Sequence, residues 1–93
     1  MGRAMFEWDE NKRLQTLLVR GLDFRDATTL FDGRPIVTLD ARWQDEARFM
    51  TVGLMMDGKI HTVIWTQREN AVRIFTFRRS QNGEERAYHA RHG

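Results

Sequence analysis

Ala71-Val-Arg-Ile-Phe-Thr-Phe-Arg-Arg-Ser80 is the stretch on which the fold turns. Its alternation predicts a strand of the main sheet. A regular pleat sends Arg73 and Arg79 to one face with Phe75 and Phe77, and Arg78 to the other with Val72, Ile74 and Thr76. Two readings of these arginines stand side by side. Guanidinium groups fixed beside aromatic rings hold phosphate and stack on bases. Charges on an edge strand also guard it against pairing with another chain.

Working back from this strand, Glu69-Asn70 is a turn and residues 59–67 form the strand before it. Asp57-Gly58 is a hairpin signal, and residues 48–56 form the strand on its other side. Residues 36–39 make a short strand after the Asp32-Gly33-Arg34-Pro35 turn, with a polar loop over residues 41–47. A two-residue turn at Asp57-Gly58 pairs Leu54 with His61 and Val52 with Val63. A two-residue turn at Glu69-Asn70 pairs Thr66 with Arg73 and Ile64 with Phe75. That register predicts one core face of Met50, Val52, Leu54, Met56, Val63, Trp65, Val72 and Ile74, covered by helices. It leaves Phe49, Thr51, Gly53, Thr62, Ile64, Thr66, Arg68, Arg73, Phe75, Phe77 and Arg79 on an open face. A slip of one residue in either turn exchanges the faces.

The helices lie outside these strands. Asp9 is an N-cap for a helix over residues 10–20, with Gly21 as its C-terminal stop. Leu14, Leu17 and Leu18 follow helical spacing and are expected to pack inward, leaving Lys12 and Arg13 at the margin. Asp23 caps a shorter helix over residues 24–31 that buries Phe24, Ala27, Leu30 and Phe31. Residues 81–90 are polar and close the chain as a third helix. The expected architecture is α+β: two N-terminal helices, a mainly antiparallel sheet of about four strands and a C-terminal helix. Residues 1–93 make one domain, and Met1 to Ala4, which precede the patterned sequence, are expected to be a remnant, an alternative start or disordered.

Composition narrows the chemistry. The absence of cysteine removes disulfides, thiolate ligands and Cys nucleophiles, and it suits a reducing cytoplasm. No run is apolar enough to span a bilayer. His61, His89 and His92 lack metal-ligand spacing, and no metal or cofactor is expected. The net charge of +2 hides an asymmetry. Residues 1–57 hold eight Lys/Arg against ten Asp/Glu, whereas residues 58–93 hold seven against three. Thirteen of the fifteen cations are Arg, which favours forked contacts to an acidic partner, nucleic acid or protein. Asp45 and Glu46 fall in a solvated loop, and Trp43 beside them is harder to assign to the core than Trp8 or Trp65.

Cations with few acid–base partners are suited to cutting RNA. The 2′-hydroxyl supplies the nucleophile, and preorganised Arg and Lys stabilise the phosphorane. On this reading Lys12, Arg48, Arg73 and Arg79 are the phosphate-binding or transition-state-stabilising groups, Glu46 is the best proton relay, and Arg68 and Arg78 are supporting candidates.

The chain also resembles a known family. Phe6-Glu7-Trp8-Asp9 with Asn11-Lys12, then Gly21, Phe24, Ala27 and Phe31, is similar to the opening of BrnT-type toxins. Glu46-Ala-Arg48-Phe49 with Gly53, the Val72–Ser80 run, and Glu84, Glu85, Arg86 and Tyr88 resemble that family's later motifs. The resemblance implies a RelE-like fold and a ribonuclease toxin that halts translation. It also implies a BrnA-type antitoxin partner, a hetero-oligomer with it, and DNA contact only indirectly through that partner. Arg20 and Tyr88 enter as RNA-binding candidates. The chain departs from the family at the end of the first helix, where Thr16 and Val19-Arg20-Gly21 replace Asn and Lys-His-Gly. Arg20 holds phosphate but cannot carry a proton as a histidine does. Two other readings use the same sheet face: a non-catalytic module that binds RNA or protein, and a structural partner whose Phe49, Phe75 and Phe77 bury an antitoxin segment.

Overall fold

The computed structural model describes residues 5–93, so the reading of Met1 to Ala4 falls outside it. Five strands form one sheet in the order β1-β5-β4-β3-β2. They are β1 (Met5–Glu7), β2 (Ile36–Asp40), β3 (Phe49–Leu54), β4 (Ile60–Arg68) and β5 (Ala71–Arg79). The expected four are present and antiparallel. The fifth, β1, pairs parallel with Ala71–Arg73. It is too short for its alternation to announce it, and parallel pairing leaves no turn signal in the sequence.

Helix α1 (Glu10–Arg20) begins on Asp9, whose carboxylate accepts from the backbone N–H of Asn11 and Lys12, and it ends on Gly21 at φ 71°. Helix α2 (Phe24–Ala27) is capped by Asp23 and tightens into a 3₁₀ turn over Thr28–Phe31. Phe24, Ala27 and Leu30 on this segment join Val63, Val72, Ile74 and Phe77 in the core, with Phe31 and Trp65 packed against it. Helix α3 (Asn82–His92) lies against the opposite face, where the Glu84 carboxylate meets Thr62 and Arg78.

Two irregularities redistribute the faces. The β3–β4 loop is one residue longer than expected. Gly58 donates to the Met55 carbonyl and Met55 donates to that of Lys59, with Gly58 in the left-handed region at φ 79°. His61 therefore pairs with Gly53, and Val63 with Thr51. This moves Phe49, Thr51 and Gly53 to the α2 side, and Met50, Val52 and Leu54 to the α3 side. Gly53 now lies under the 3₁₀ turn, where a Cβ would stand 2.7 Å from the Leu30 side chain. The second irregularity is a β-bulge. Thr66 pairs with Arg73 as expected, but Trp65 then pairs with Ile74 and Ile64 with Thr76, leaving Phe75 unmatched. The alternation of β5 resets there. Arg73, Phe75, Thr76 and Arg78 share the α3 face, whereas Phe77 and Arg79 go with Ile74 to the α2 face. The open face thus loses Phe49 and Phe77, the latter 1% exposed, keeps Ile64 and Phe75, and gains Met50 and Leu54.

Helix α1 also differs from expectation. Leu14 and Leu17 are exposed, and Leu18 and Val19 are 87% and 72% exposed. Arg13 turns inward instead. Its guanidinium bonds Glu10 in the preceding turn and reaches Asp23 at 3.1 Å. The inward side is thus set by a charged clamp to the cap of α2, and both carboxylates are held at a pKa of about 2, Glu10 chiefly by Arg13 and Asp23 chiefly by Arg25 and then Arg13.

Candidate nucleic-acid interface

The sheet gathers part of the expected cation set on the α3 side, at the end that α3 does not cover. Arg48 comes from the segment just before β3. Its guanidinium carbon lies over the Phe75 ring, 3.6 Å from the centroid, and its Nε donates to Glu46 at 3.0 Å. The bulge makes this stack possible, because it turns Phe75 to that face. With the plane and the Nε engaged, the two Nη nitrogens of Arg48 have no protein acceptor among the described residues. Glu46 accepts from Arg68 through its other oxygen at 2.8 Å. The two arginines hold this carboxylate below the usual range, Arg48 by its hydrogen bond first.

Lys12 approaches the same group from α1. It lines a depression with Gln15, Thr16, Val19, Arg20 and Thr76. Its pKa is lowered, first by partial burial and then by repulsion from Arg48 and, more weakly, from Arg20, with Asp9 pulling the other way. Thr76 adjoins Phe75, so Lys12 and Arg48, 36 positions apart in the chain, lie against neighbouring residues of β5. Arg73 lies two positions before Phe75 on the same face. Its Nη1 meets Glu7 of β1 at 3.2 Å, a partner not visible without the parallel pairing.

The remaining candidates lie elsewhere. Arg78 forms a two-pronged pair with buried Glu84, both contacts at 2.9 Å, and Thr62 and the Gln81 backbone complete that carboxylate's partners. Arg79 pairs with His61 on the other face and lines a cleft with Arg20, Asp57, Lys59, His61 and the edge of Arg78. Arg20 stands between the two regions, its Nη1 donating to the Phe77 carbonyl on the stretch of β5 that β1 leaves unpaired. Lys59 and His61 were not foreseen in this cleft, since the corrected hairpin register sets His61 opposite Gly53 and the bulge in β5 sets it beside Arg79. Tyr88 is apart from both regions and packs against the rings of His89 and His92 on α3. Among the described residues no group of three or more His, Cys, Asp or Glu side chains converges to hold a metal.

An open basic sheet face with a stacked arginine and a lysine of depressed pKa fits phosphate chemistry, and the comparisons with known proteins agree. Residues 8–84 match the family described as "Ribonuclease toxin, BrnT, of type II toxin-antitoxin system". The chain belongs to the BrnT family. It is thus a ribonuclease toxin of a type II toxin–antitoxin pair, with RNA as its target and an antitoxin as its partner. The 1.1 Å crystal structure of the Brucella abortus ribonuclease toxin BrnT superposes with a TM-score of 0.68. It is 23% identical and covers 86% of this chain and all of its own, a likeness of fold. No curated protein sequence matches the chain. Within the BrnT match lie Lys12, Glu46, Arg48, Arg68, Arg73, Arg78 and Arg79, whereas Tyr88 falls beyond it.

Proposed function

We propose that this toxin is a metal-independent endoribonuclease whose catalytic surface is the open sheet face around Arg48. The observation that carries the proposal is the convergence of Lys12 and Arg48, from separate elements, over a face that also presents Arg73. The free Nη nitrogens of Arg48 and the Arg73 guanidinium stabilise charge on the phosphorane formed when the 2′-hydroxyl attacks its neighbouring phosphate. Lys12, with its depressed pKa, supplies the proton transfer, to the leaving 5′ oxygen or from the 2′-hydroxyl. Glu46, kept anionic by two arginines, serves to position Arg48 and Arg68 more than to exchange protons. Arg68 binds flanking phosphate.

The toxin acts in the cytoplasm, where cleavage of RNA halts translation. No helix among the described residues is long and apolar enough to cross a membrane. A BrnA-type antitoxin neutralises the toxin in a hetero-oligomer, and DNA is contacted only through that partner. The exposed Leu14, Leu18 and Val19 beside Lys12 favour α1 as part of the antitoxin's seat, since clustered apolar surface marks an interface.

The decisive experiment incubates antitoxin-free protein with a defined single-stranded RNA in EDTA and maps the ends. Ends bearing 2′,3′-cyclic phosphate, formed far more slowly by Lys12→Ala and Arg48→Ala, are expected. Intact RNA here and in a translating ribosome assay overturns the catalytic assignment. Salt-sensitive binding without cleavage would then make the chain a binding module.

A further inference from the structure

We propose that Trp43 is a base-stacking platform that seats one unpaired nucleobase of the RNA beside Arg48. This rests on the assignment of RNA cleavage to that face. Three tryptophans occur, and two are accounted for by the fold. Trp8 packs against Phe24 and its indole N–H donates to Glu10, while Trp65 packs between Phe31 and Phe49 and donates to Thr51. Trp43 is 57% exposed, and among the described residues its indole has no hydrogen-bond partner and no ring neighbour. A large exposed ring that no protein group engages is free to stack on a base.

The segment that carries it is held firmly. Ala41 donates to the Arg48 carbonyl at 2.8 Å, extending the β2–β3 pairing outward. Trp43 and Glu46 then exchange backbone hydrogen bonds at 3.1 and 2.9 Å, closing a turn over Gln44 and Asp45. Gln44 takes φ 55°, a left-handed conformation that a non-glycine residue adopts at some cost. The sequence expectation of a plain polar loop is thus replaced by a tight hairpin tip with an indole on it. This tip sits beside the phosphate-binding groups. Trp43, Gln44, Asp45, Glu46 and Arg48 line one shallow depression, and Glu46 ties its floor to Arg68.

The arrangement has the two parts of a single-strand subsite. A ring face receives a base of any identity, and arginines one step away receive the backbone phosphate. The Gln44 amide and the Asp45 carboxylate at the rim offer a donor and acceptors to the base edge, so some preference among bases is expected at this position. Stacking that is made equally in the ground and transition states raises KM when lost and leaves kcat.

The test uses the purified protein, a cleavable single-stranded oligoribonucleotide and its 2′-O-methyl counterpart, which cannot be cut. Binding of the methylated RNA is expected to quench the indole emission of the wild type. Trp43→Ala is expected to weaken binding by about five- to hundredfold and to abolish most of the quench. KM should rise with little change in kcat, and Trp43→Phe should recover most of the affinity because a ring face is restored. Unchanged thermal unfolding of both variants confirms that the exposed residue is not structural. Wild-type affinity and quench in folded Trp43→Ala, with binding still lost in Arg48→Ala, overturns the stacking role and leaves the ribonuclease face standing. A wild type that neither binds nor cuts RNA overturns both.

Discussion

Arg73 and Arg78 stand on the same strand and the same sheet face, yet the two ends of that face treat their arginines in opposite ways. At the α3 end, Arg78 is enclosed. Both prongs of its guanidinium meet Glu84, which also accepts from Thr62 and from the backbone N–H of Gln81 at the start of α3. These bonds to Glu84 seat the helix, and Arg78 Nη1 also donates to the Arg79 carbonyl. At the other end no helix covers the sheet, and Arg48, Arg73 and Arg68 each meet a carboxylate through one nitrogen only, leaving others free among the described residues. The first arrangement uses charge as structure. The second holds charge in place without neutralising it, which is what binding a phosphate requires.

The sharpest way to break this comparison is to remove the closed pair. Glu84→Gln leaves half-buried Arg78 without its counter-charge and is expected to cost about 3 kcal/mol of folding stability, seen in urea or thermal unfolding. The wild-type protein reports the same pair through pH. Glu84 is held at a pKa of about 2 against an ordinary value of 4.5, with the Arg78 hydrogen bonds as the main cause. A lowered carboxylate pKa contributes stability that is fully present above about 4.5 and is lost as pH falls toward about 2. The gap between wild type and Glu84→Gln should therefore narrow over that window. A constant gap would show that the cost lies in packing and not in charge.

The open end should show the reverse pattern. Arg48→Ala is expected to leave unfolding nearly unchanged and to reduce kcat/KM for RNA by roughly a hundredfold, the scale of one lost electrostatic stabiliser. Arg79→Ala serves as the contrast. Arg79 lies on the α2 side with Arg20, Lys59 and His61, and its contact to Glu85 is a loose 3.9 Å. Its loss is expected to cost less than tenfold. A larger loss at Arg79 than at Arg48 would move the catalytic surface to that cleft.

The difference between the two ends also explains what could be seen in the sequence. Helix α1 was legible from the Asp9 cap to Gly21, as were the four antiparallel strands and the Phe24, Ala27, Leu30 face, because caps, turn residues and alternation are local signals. Gly53 gains its meaning only in three dimensions, under Leu30. Two single-residue events, the longer loop at Gly58 and the bulge at Phe75, decided which side chains share a face, and neither has a composition of its own. They sent Arg79 away from Arg73 and brought Phe75 under Arg48. Helix α1 was misjudged for a different reason. Its leucine spacing is that of a buried stripe, but the Arg13–Asp23 clamp fixes the opposite rotation. Residue type and resemblance point to Lys12, Glu46, Arg48, Arg68 and Arg73, and the fold brings them to one end. The same grounds point to Arg78, which belongs to the core architecture.

The smallest predicted effect is the most specific to the open end. Burial lowers the Lys12 pKa first, and repulsion from Arg48 lowers it further. If Lys12 acts as the proton donor, activity falls as pH rises through its pKa, and this alkaline limb should lie below that of an ordinary lysine. Removing Arg48 takes away one of the two main causes and leaves the other. The residual activity of Arg48→Ala should then show its alkaline limb displaced to higher pH, toward the ordinary lysine value but short of it. Lys12→Arg, which stays protonated throughout, should keep part of the binding and lose the limb. A limb that stays in place when Arg48 is removed would mean that the titrating group is not coupled to Arg48, and Lys12 would then keep a phosphate-binding role without the proton transfer.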